Sequence, residues 1–324
     1  MTKLNKVWQA TLRFLKNWTL PVAIVWGAVA YFIYSNVSLF DATRPYAPHV
    51  VAVVQPVLIF SMLFLSFCKI DARQLRPHIS HVWLLLIQCG SFVAMCLLLH
   101  YLSTWRGGVF VQSALLCMIC PTATSASVVT QKLGGDSANI TMYTLLINLA
   151  VALIVPAFVP LIAPSAEHTF IVSLLQILAR VFPMLICPLI VAQLVRYFMP
   201  SLHKWLTSFR NLAFYLWAVA LSLAISVTAR SIAHTDHSLG NILGIGLVSL
   251  VCCILQFYWG RQIGRRYNLP ISTCQSLGQK NTVFAIWMGY TFLNPITSIA
   301  GGFYSIWHNV YNTYQLRKES STQH

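Results

Sequence analysis

Residues 276–283, SLGQKNTV, lie between two apolar stretches, NLPISTCQ (268–275) and FAIWMGYTFL (284–293). A second polar interruption, CPTATSASVVT at 120–130, also falls within a long apolar run. Because proline removes a backbone donor and glycine relaxes the backbone, both runs are predicted to be broken helices. Inside a membrane, the freed backbone groups are tolerated only beside a cavity. The two interruptions therefore predict both the fold and the position of the functional site.

The composition is that of an integral membrane protein. Of the 324 residues, 57% are hydrophobic and only 8% are charged, whereas a soluble domain has about 25% charged residues. The mean hydropathy is +0.70 and the formal net charge is +15. In a soluble protein such a charge suggests nucleic acid, but here it indicates basic loops on the cytoplasmic side of a lipid bilayer. We expect no nucleic-acid partner.

The cysteines and the known catalytic motifs offer no sign of a cofactor. All nine cysteines lie in or at the ends of apolar runs, which is typical of small buried hydrophobic residues rather than of disulfides or zinc ligands. There is no Walker motif, no GxSxG and no cluster with metal-ligand spacing. We predict that the protein is not an enzyme and holds neither a cofactor nor a metal.

A transmembrane helix needs about 20 apolar residues, and ten segments of the chain meet this requirement. The predicted spans are 18–36, 48–68, 80–102, 107–133, 138–162, 169–197, 208–230, 239–261, 270–292 and 295–316. With the N-terminus inside, only Arg44, Arg106 and Arg230 of the 21 Lys and Arg lie outside, while Arg180 and Lys280 lie within spans. This bias predicts cytoplasmic termini and a multi-pass protein of the cell (inner) membrane. All six acidic residues fall in loops or tails.

Ten spans divide into two groups of five, which must have opposite orientations in the membrane. The sequence thus predicts two inverted repeats, 1–165 and 166–324. The interruptions fall in the fourth span of each repeat, and matched interruptions are typical of a transporter site. The half-helix that follows each break presents free N–H groups and a positive dipole end to an anion. The alternative is that both stretches are polar seams for helix packing.

At these positions the chain resembles the bile acid:sodium symporter family. CPTATSASVV (120–129) is similar to the family's span-4 segment C-P-G-G-T-x-S-N, and SLGQKN (276–281) to its span-9 segment E-x-G-x-Q-N. SIWHNVYN (305–312) resembles the W-H-N of span 10, and IQCGSF (87–92) fits the span-3 glutamine. The resemblance runs the length of the ten predicted spans.

This resemblance implies an all-α polytopic membrane protein with a panel (spans 1, 2, 6 and 7) and a core (spans 3–5 and 8–10) in which the broken spans 4 and 9 cross. It also implies a secondary transporter of an organic anion, a bile acid or a small carboxylate, that works by alternating access. The substrate-facing positions carried over are Thr124, Asn281, His308 and Asn309, and the hydroxyls of Ser125 and Ser127 lie beside them in sequence.

The positions that bind cations in the family depart from its pattern. The span-9 glutamate aligns with Ser276 and the glutamine after it with Lys280. The span-4 Ser-Asn pair aligns with Ala126 and Ser127, and a span-5 serine with Ile140. The polar side chains left as cation-site surrogates or coupling groups are those of Gln88, Thr144, Ser276, Gln279 and Lys280.

We therefore predict a sodium-independent member of the family in which the Lys280 ammonium replaces a bound cation. Sodium needs several oxygen ligands, and an anionic ligand helps most where the dielectric constant is low. A lysine at this position would repel the ion. Proton coupling stays open, because desolvation favours a neutral amine and His308 titrates near neutrality. For Lys280, the alternative is that its side chain extends to the membrane interface. For His308, the alternative is that it makes only a structural hydrogen bond between helices.

Other functions stay open beside this prediction. The chain fits a sodium- or proton-coupled symporter of the same family, or a non-transporting membrane receptor or scaffold. An arsenite-type exporter would use a thiolate of Cys117 or Cys120, but the missing span-9 acid argues against it. Arg180 either faces the cavity, as intramembrane arginines often do, or reaches lipid headgroups.

Overall fold

Helices make up nearly all of the chain that the computed structural model describes, which is residues 19–70, 75–102, 108–163, 169–209, 212–234 and 238–322. The helices are α1 (Thr19–Asn36), α2 (Ala47–Cys68), α3 (Ile79–Tyr101), α4 (Gly108–Ile119), α5 (Ala126–Lys132), α6 (Ser137–Ile162), α7 (Phe170–Leu185), α8 (Cys187–Phe198), α9 (Pro200–Ser208), α10 (Leu212–Ala233), α11 (Leu239–Arg266), α12 (Pro270–Gly278), α13 (Thr282–Phe292) and α14 (Pro295–Thr322). Two 3₁₀ turns, Ser38–Phe40 and Arg44–Tyr46, precede α2.

The protein is a helical, multi-pass membrane protein. Within the described residues, six helical segments are long and apolar enough to cross a bilayer: Arg44–Cys68, Ile79–Tyr101, Ser137–Ile162, Phe170–Phe198, Tyr215–Ala233 and Leu239–Arg266. Three shorter apolar helices are Val22–Asn36, Gly108–Ile119 and Thr282–Phe292. Gly108–Ile119 is α4 and Thr282–Phe292 is α13. Each is one half of a helix that a polar interruption divides, so each is too short to cross the bilayer by itself.

The predicted sixth span, 169–197, agrees with the helical segment Phe170–Phe198, in which the single residue Ile186 separates α7 from α8. Helix α7 ends at Leu185 and α8 begins at Cys187. Pro188 lies at the start of α8, where a missing N–H removes no helical bond. A further short helix, α9, follows at Pro200–Ser208 and was not predicted, because its side chains are mostly exposed and its sequence is only weakly apolar.

The helices contact one another in several pairs. Helix α1 contacts α10, α2 contacts α8 and α10, α3 contacts α4 and α6, and α11 contacts α12 and α14. Ser222 and Ser226 of α10 donate hydrogen bonds of 3.0 and 2.6 Å to the carbonyls of Ala23 and Gly27 in α1. Such small residues let membrane helices approach closely. Helix α10 also contacts α13 and α14, α2 contacts α13, and α6 contacts α7.

The closest helix contact that positions the site is between α11 and α12. A Cβ on Gly260 would lie 2.5 Å from the carbonyl oxygen of Thr273. A Cβ on Gly264 would lie 2.1 Å from Thr273 Oγ1 and 2.5 Å from the carbonyl oxygen of Leu269. The G-x-x-x-G spacing of 260–264 thus brings two backbones together, as is common in membranes. This contact sets the direction in which α12 leads to the break at 279–281.

We predict that Gly264→Ala destabilises the protein by about 1–3 kcal/mol, the usual cost of over-packing, because two of the three nearest atoms belong to backbone that no side-chain rotation can move. The measurement is the Tm of the purified protein in detergent. Gly90→Ala on α3 is the matched control, since no heavy atom lies within 4 Å of its added Cβ. Equal Tm values for the two variants would contradict the proposed contact.

Candidate functional site

The two interrupted helices meet at their breaks. Thr122 and Lys280 form an isolated antiparallel bridge. The Ala123 N–H donates to the carbonyl of Gln279 at 3.0 Å, and the Asn281 N–H donates to the carbonyl of Pro121 at 2.8 Å. Backbone groups that the two breaks remove from helical bonding therefore bond to each other, which is how buried backbone polar groups avoid the cost of desolvation.

Side chains satisfy the carbonyls at the end of α4. Gln88 Nε2 donates to the carbonyls of Ile119 and Cys120 at 3.1 and 2.7 Å. The Tyr143 hydroxyl in turn donates to Gln88 Oε1 at 2.8 Å. Gln88 is fully buried, so these bonds form in the interior. The Gln88 amide therefore caps the C-terminal end of α4, the first half of a broken helix.

A second set of side chains holds the end of α12. The Tyr304 hydroxyl donates to the carbonyl of Gly278 at 2.8 Å. Gln256 Nε2 lies 3.1 Å from the Tyr304 oxygen and 3.3 Å from the carbonyl of Cys117. Helices α4, α11, α12 and α14 are therefore joined by polar contacts around the two breaks. The sequence analysis does not identify Gln256, Tyr304 and Tyr143. The sequence signal for each is a polar side chain within an apolar helix.

Lys280 places an amine at this junction without a partner. Its side chain is 1% exposed, and Nζ has no hydrogen-bond partner among the described residues. A side chain that reached an interface would be exposed, so the structure excludes the alternative in which Lys280 extends to the membrane surface.

The acidic side chains that the structure describes lie elsewhere. Asp41 pairs with Arg44 at 2.7 Å in an exposed turn. Asp136 accepts hydrogen bonds from the N–H groups of Ala138 and Asn139 at the start of α6. Both carboxylates are thus engaged outside the two breaks. Burying an unpaired ammonium is costly, and neither described carboxylate offsets that cost at Lys280.

Other polar atoms without partners lie in the same region. Ser276 Oγ and Gln279 Oε1, from the last turn of α12 and its C-cap, are buried and have no hydrogen-bond partner among the described residues. On α14 the same is true of Ser305 Oγ and of both polar side-chain atoms of Asn312. Native proteins leave few such atoms, and each one calls for a physical explanation.

The unpaired groups of α12 and α14 belong to one polar interior. Ser305, His308 and Asn312 recur at helical spacing on one face of α14. The Lys280 N–H donates to His308 Nδ1 at 3.4 Å, and Gln275 Nε2 donates to Gln315 Oε1 at 2.6 Å. Two bridges thus join the break and α12 to this face of α14.

The predicted substrate residues are brought together only in part. Thr124, Ser125 and Ser127 are half-buried at the start of α5, and Gln279 Nε2 donates to Ser125 Oγ at 3.2 Å. Asn281 is buried and its Oδ1 accepts from the Phe284 N–H at 3.2 Å, which caps α13. These residues and His308 surround the break.

Three other predicted site residues bond to the preceding turn of the chain. Asn309 Nδ2 donates to the carbonyl of Ser305 at 2.5 Å, the Ser127 hydroxyl to that of Thr124 at 3.5 Å, and the Thr144 hydroxyl to that of Ile140 at 2.9 Å. The two hydroxyls can then only accept a hydrogen bond from a ligand unless they rotate, whereas the Asn309 amide keeps one free N–H and its oxygen.

Arg180 is exposed on the outer surface of α7. Of the two alternatives for this residue, the structure supports the one in which the side chain faces away from the interior. Long basic side chains on such a surface reach lipid headgroups. The nine cysteines are free thiols, and seven of them are buried.

We predict that Gln88→Leu lowers the Tm more than Tyr143→Phe does. The first change leaves two carbonyls and a buried hydroxyl unpaired, each costing about 1–3 kcal/mol, whereas the second removes one donor. The double variant should be less destabilised than the sum of the two single variants, because the residues share a bond. Strictly additive effects would contradict the capping arrangement.

A comparison with protein families matches residues 20–316 to the SBF-like CPA transporter family. No curated protein matches the chain significantly. The family match covers nearly the whole chain, including both broken helices, and it confirms the resemblance to bile acid:sodium symporters seen in the sequence. A transporter family also agrees with the expectation that the protein is not an enzyme. The chain belongs to the SBF-like CPA transporter family.

Proposed function

We propose that this protein is a secondary active transporter of an organic anion, a bile acid or a small carboxylate, and that it works without sodium. The observation that carries the proposal is the buried, unpartnered amine of Lys280 at the junction of two broken helices. In place of a bound cation, the protein supplies a covalently attached one.

In this proposal, Coulomb repulsion between the Lys280 ammonium and a sodium ion explains why the protein works without sodium. Two unit positive charges about 4 Å apart repel by about 4 kcal/mol at an effective dielectric constant of about 20, which lowers an affinity by roughly a thousandfold. No carboxylate whose position the structure describes offsets this repulsion, since Asp41 and Asp136 have other partners. A sodium ion at this junction is disfavoured for as long as Lys280 keeps its proton.

The same charge favours an anionic substrate. The Lys280 amine and the Ser276 hydroxyl are buried donors without acceptors, and a carboxylate oxygen accepts from both types of group. A charge-assisted hydrogen bond is roughly twice as strong as a neutral one. Thr124 and Ser125 at the start of α5, with His308 and Asn281 at the junction, form the remaining wall. Asn309 and Ser127 complete the proposed site after side-chain rotation.

The transport cycle requires two bodies that move relative to each other. We assign ten spans in two inverted repeats, 1–165 and 166–324, with α4–α5 and α12–α13 as the broken fourth and ninth spans. We assign to the panel the helices α1, α2, α7, α8 and α10. We assign to the core the helices α3–α6 and α11–α14. Supporting this, the backbone bonds between the breaks join helices of the core only. Alternating access then exposes the junction to each side in turn.

We assign the protein to the cell (inner) membrane, with both termini in the cytoplasm. The distribution of Lys and Arg supports this orientation. Hydrogen bonds tie several of the basic segments together: Arg196 bonds the carbonyl of Ile70, and Lys69 Nζ donates to the carbonyl of Phe209 at 3.4 Å. These segments lie at one end of the helix bundle, which becomes its cytoplasmic end.

The proposal is tested by ligand-induced stabilisation of the purified protein in detergent. Cholate, pyruvate and pantoate are added in sodium buffer and in choline buffer. We expect one of them to raise the Tm equally in both, since a ligand at about 100 times its Kd adds about 2.7 kcal/mol of stability. In Lys280→Gln the shift should be lost or should require sodium.

Lys132→Gln is the matched control, because it removes the same charge from an exposed position on α5 and should leave the shift unchanged. A shift that needs sodium in the wild type and persists in Lys280→Gln would overturn the proposal. The protein would then be a sodium symporter whose ions bind elsewhere.

A further inference from the structure

A cavity lies between α3 and the end of α11, apart from the junction of the two breaks. It has a volume of about 560 Å³. The residues that line it are Trp83 and Ile87 of α3, Trp259, Gln262, Ile263, Arg265 and Arg266 of α11, and Tyr267. None of these residues has a part in the transport site described above. The lining therefore includes two arginines, two tryptophans and one tyrosine.

The aromatic wall of the cavity is fixed by its own contacts. Trp83 Nε1 donates to the Tyr267 hydroxyl at 2.9 Å. The His78 ring packs edge-on against Tyr267, with the ring centroids 5.5 Å apart and an interplanar angle of 88°. Tryptophan and tyrosine concentrate at the level of lipid headgroups, where one part of the ring is apolar and the other is wet. The cavity therefore lies at the depth of the membrane interface.

The charged side of the cavity is positive. Arg265 and Arg266 lie in the last turn of α11 and are exposed. Arg265 Nη1 makes only a long contact of 3.4 Å with Gln262 Oε1. Of the carboxylates that the structure describes, neither Asp41 nor Asp136 lines the cavity. Guanidinium groups bind phosphate oxygens in a fork geometry, and they do so best when no carboxylate competes.

The helix surfaces that lead away from the cavity toward the middle of the membrane are apolar and exposed. On α3, Leu86 is 57% exposed, and on α11 Ile254 and Tyr258 are 58% and 56% exposed. Exposed large apolar side chains on membrane helices face acyl chains. A ligand in the cavity thus meets arginines at one end and a hydrocarbon surface at the other, which is the polarity of a phospholipid.

We propose that this cavity is a binding site for an anionic phospholipid. The phosphodiester group contacts Arg265 and Arg266 at the aromatic wall, and an acyl chain lies along the groove between α3 and α11. Basic cavities between membrane helices on the cytoplasmic side bind such headgroups in general. The inference rests on the cavity and its charges, and it stands whether or not the proposed transport function is correct.

The test is lipid binding to the full-length, delipidated protein in detergent, measured by native mass spectrometry and by Tm. The probes are phosphatidylglycerol, zwitterionic phosphatidylcholine and inorganic phosphate. We expect phosphatidylglycerol to bind at least tenfold more tightly than phosphatidylcholine and to raise the Tm, and inorganic phosphate to do neither. The comparison of lipids uses the wild-type protein and does not depend on how any variant folds.

The variants locate the site. Arg265→Gln/Arg266→Gln should weaken phosphatidylglycerol binding at least tenfold. Lys132→Gln/Lys204→Gln, which removes the same charge from two exposed positions elsewhere, should keep wild-type binding. Equal binding of the two lipids, equal loss in both double variants, or the same stabilisation by inorganic phosphate would each overturn the proposal.

Discussion

The backbone pairing between residues 121–123 and 279–281 is the interaction on which the rest of the site depends. Each break leaves N–H and C=O groups without helical partners, and in a membrane each unsatisfied group costs several kcal/mol. The structure pairs these groups across the two breaks, through two hydrogen bonds of 3.0 and 2.8 Å. The half-helices on both sides are thereby held to one another.

This pairing fixes where the Lys280 side chain begins, since Lys280 is itself one of the bridged residues. The amine then lies in an interior that contains thiols, hydroxyls and amides but no described carboxylate. Ionisable groups are kept at such positions at a cost in stability, and inside a membrane they mark functional sites. In the proposed function, an anionic substrate supplies the counter-charge that no described carboxylate provides, and the Lys280 charge disfavours a sodium ion at the same place.

The sequence predicted the positions of the breaks because Pro121 and Gly278 act locally on the backbone. It also predicted uninterrupted helices well: the segment 138–162 agrees with α6 (Ser137–Ile162) within one residue. The segment 169–197 contains Pro183 and Pro188, and the structure interrupts it at Ile186, between these two prolines. Proline-containing membrane helices either kink or break, and the choice depends on neighbouring helices.

The polar contacts of the site were harder to predict than its location. The sequence predicts Gln88 as a coupling residue, which stays a prediction, and it does not predict that the Gln88 amide caps α4. The partners of Gln88 come from segments far away in sequence, such as Tyr143. Helical periodicity shows which face a residue lies on but not which backbone carbonyl it meets. The unpaired Nζ of Lys280 is likewise a property of the packed molecule, although the missing span-9 acid indicated it.

Uptake of radiolabelled pyruvate, pantoate and cholate into proteoliposomes tests the central claim most directly. The external salt is sodium chloride or choline chloride at equal ionic strength, and the wild type is compared with Lys280→Gln. The account predicts that the wild type takes up one of these anions at the same rate in both salts and that Lys280→Gln does not do so in choline. Uptake by the wild type that occurs only with an inward sodium gradient would contradict the claim that Lys280 replaces the coupling cation.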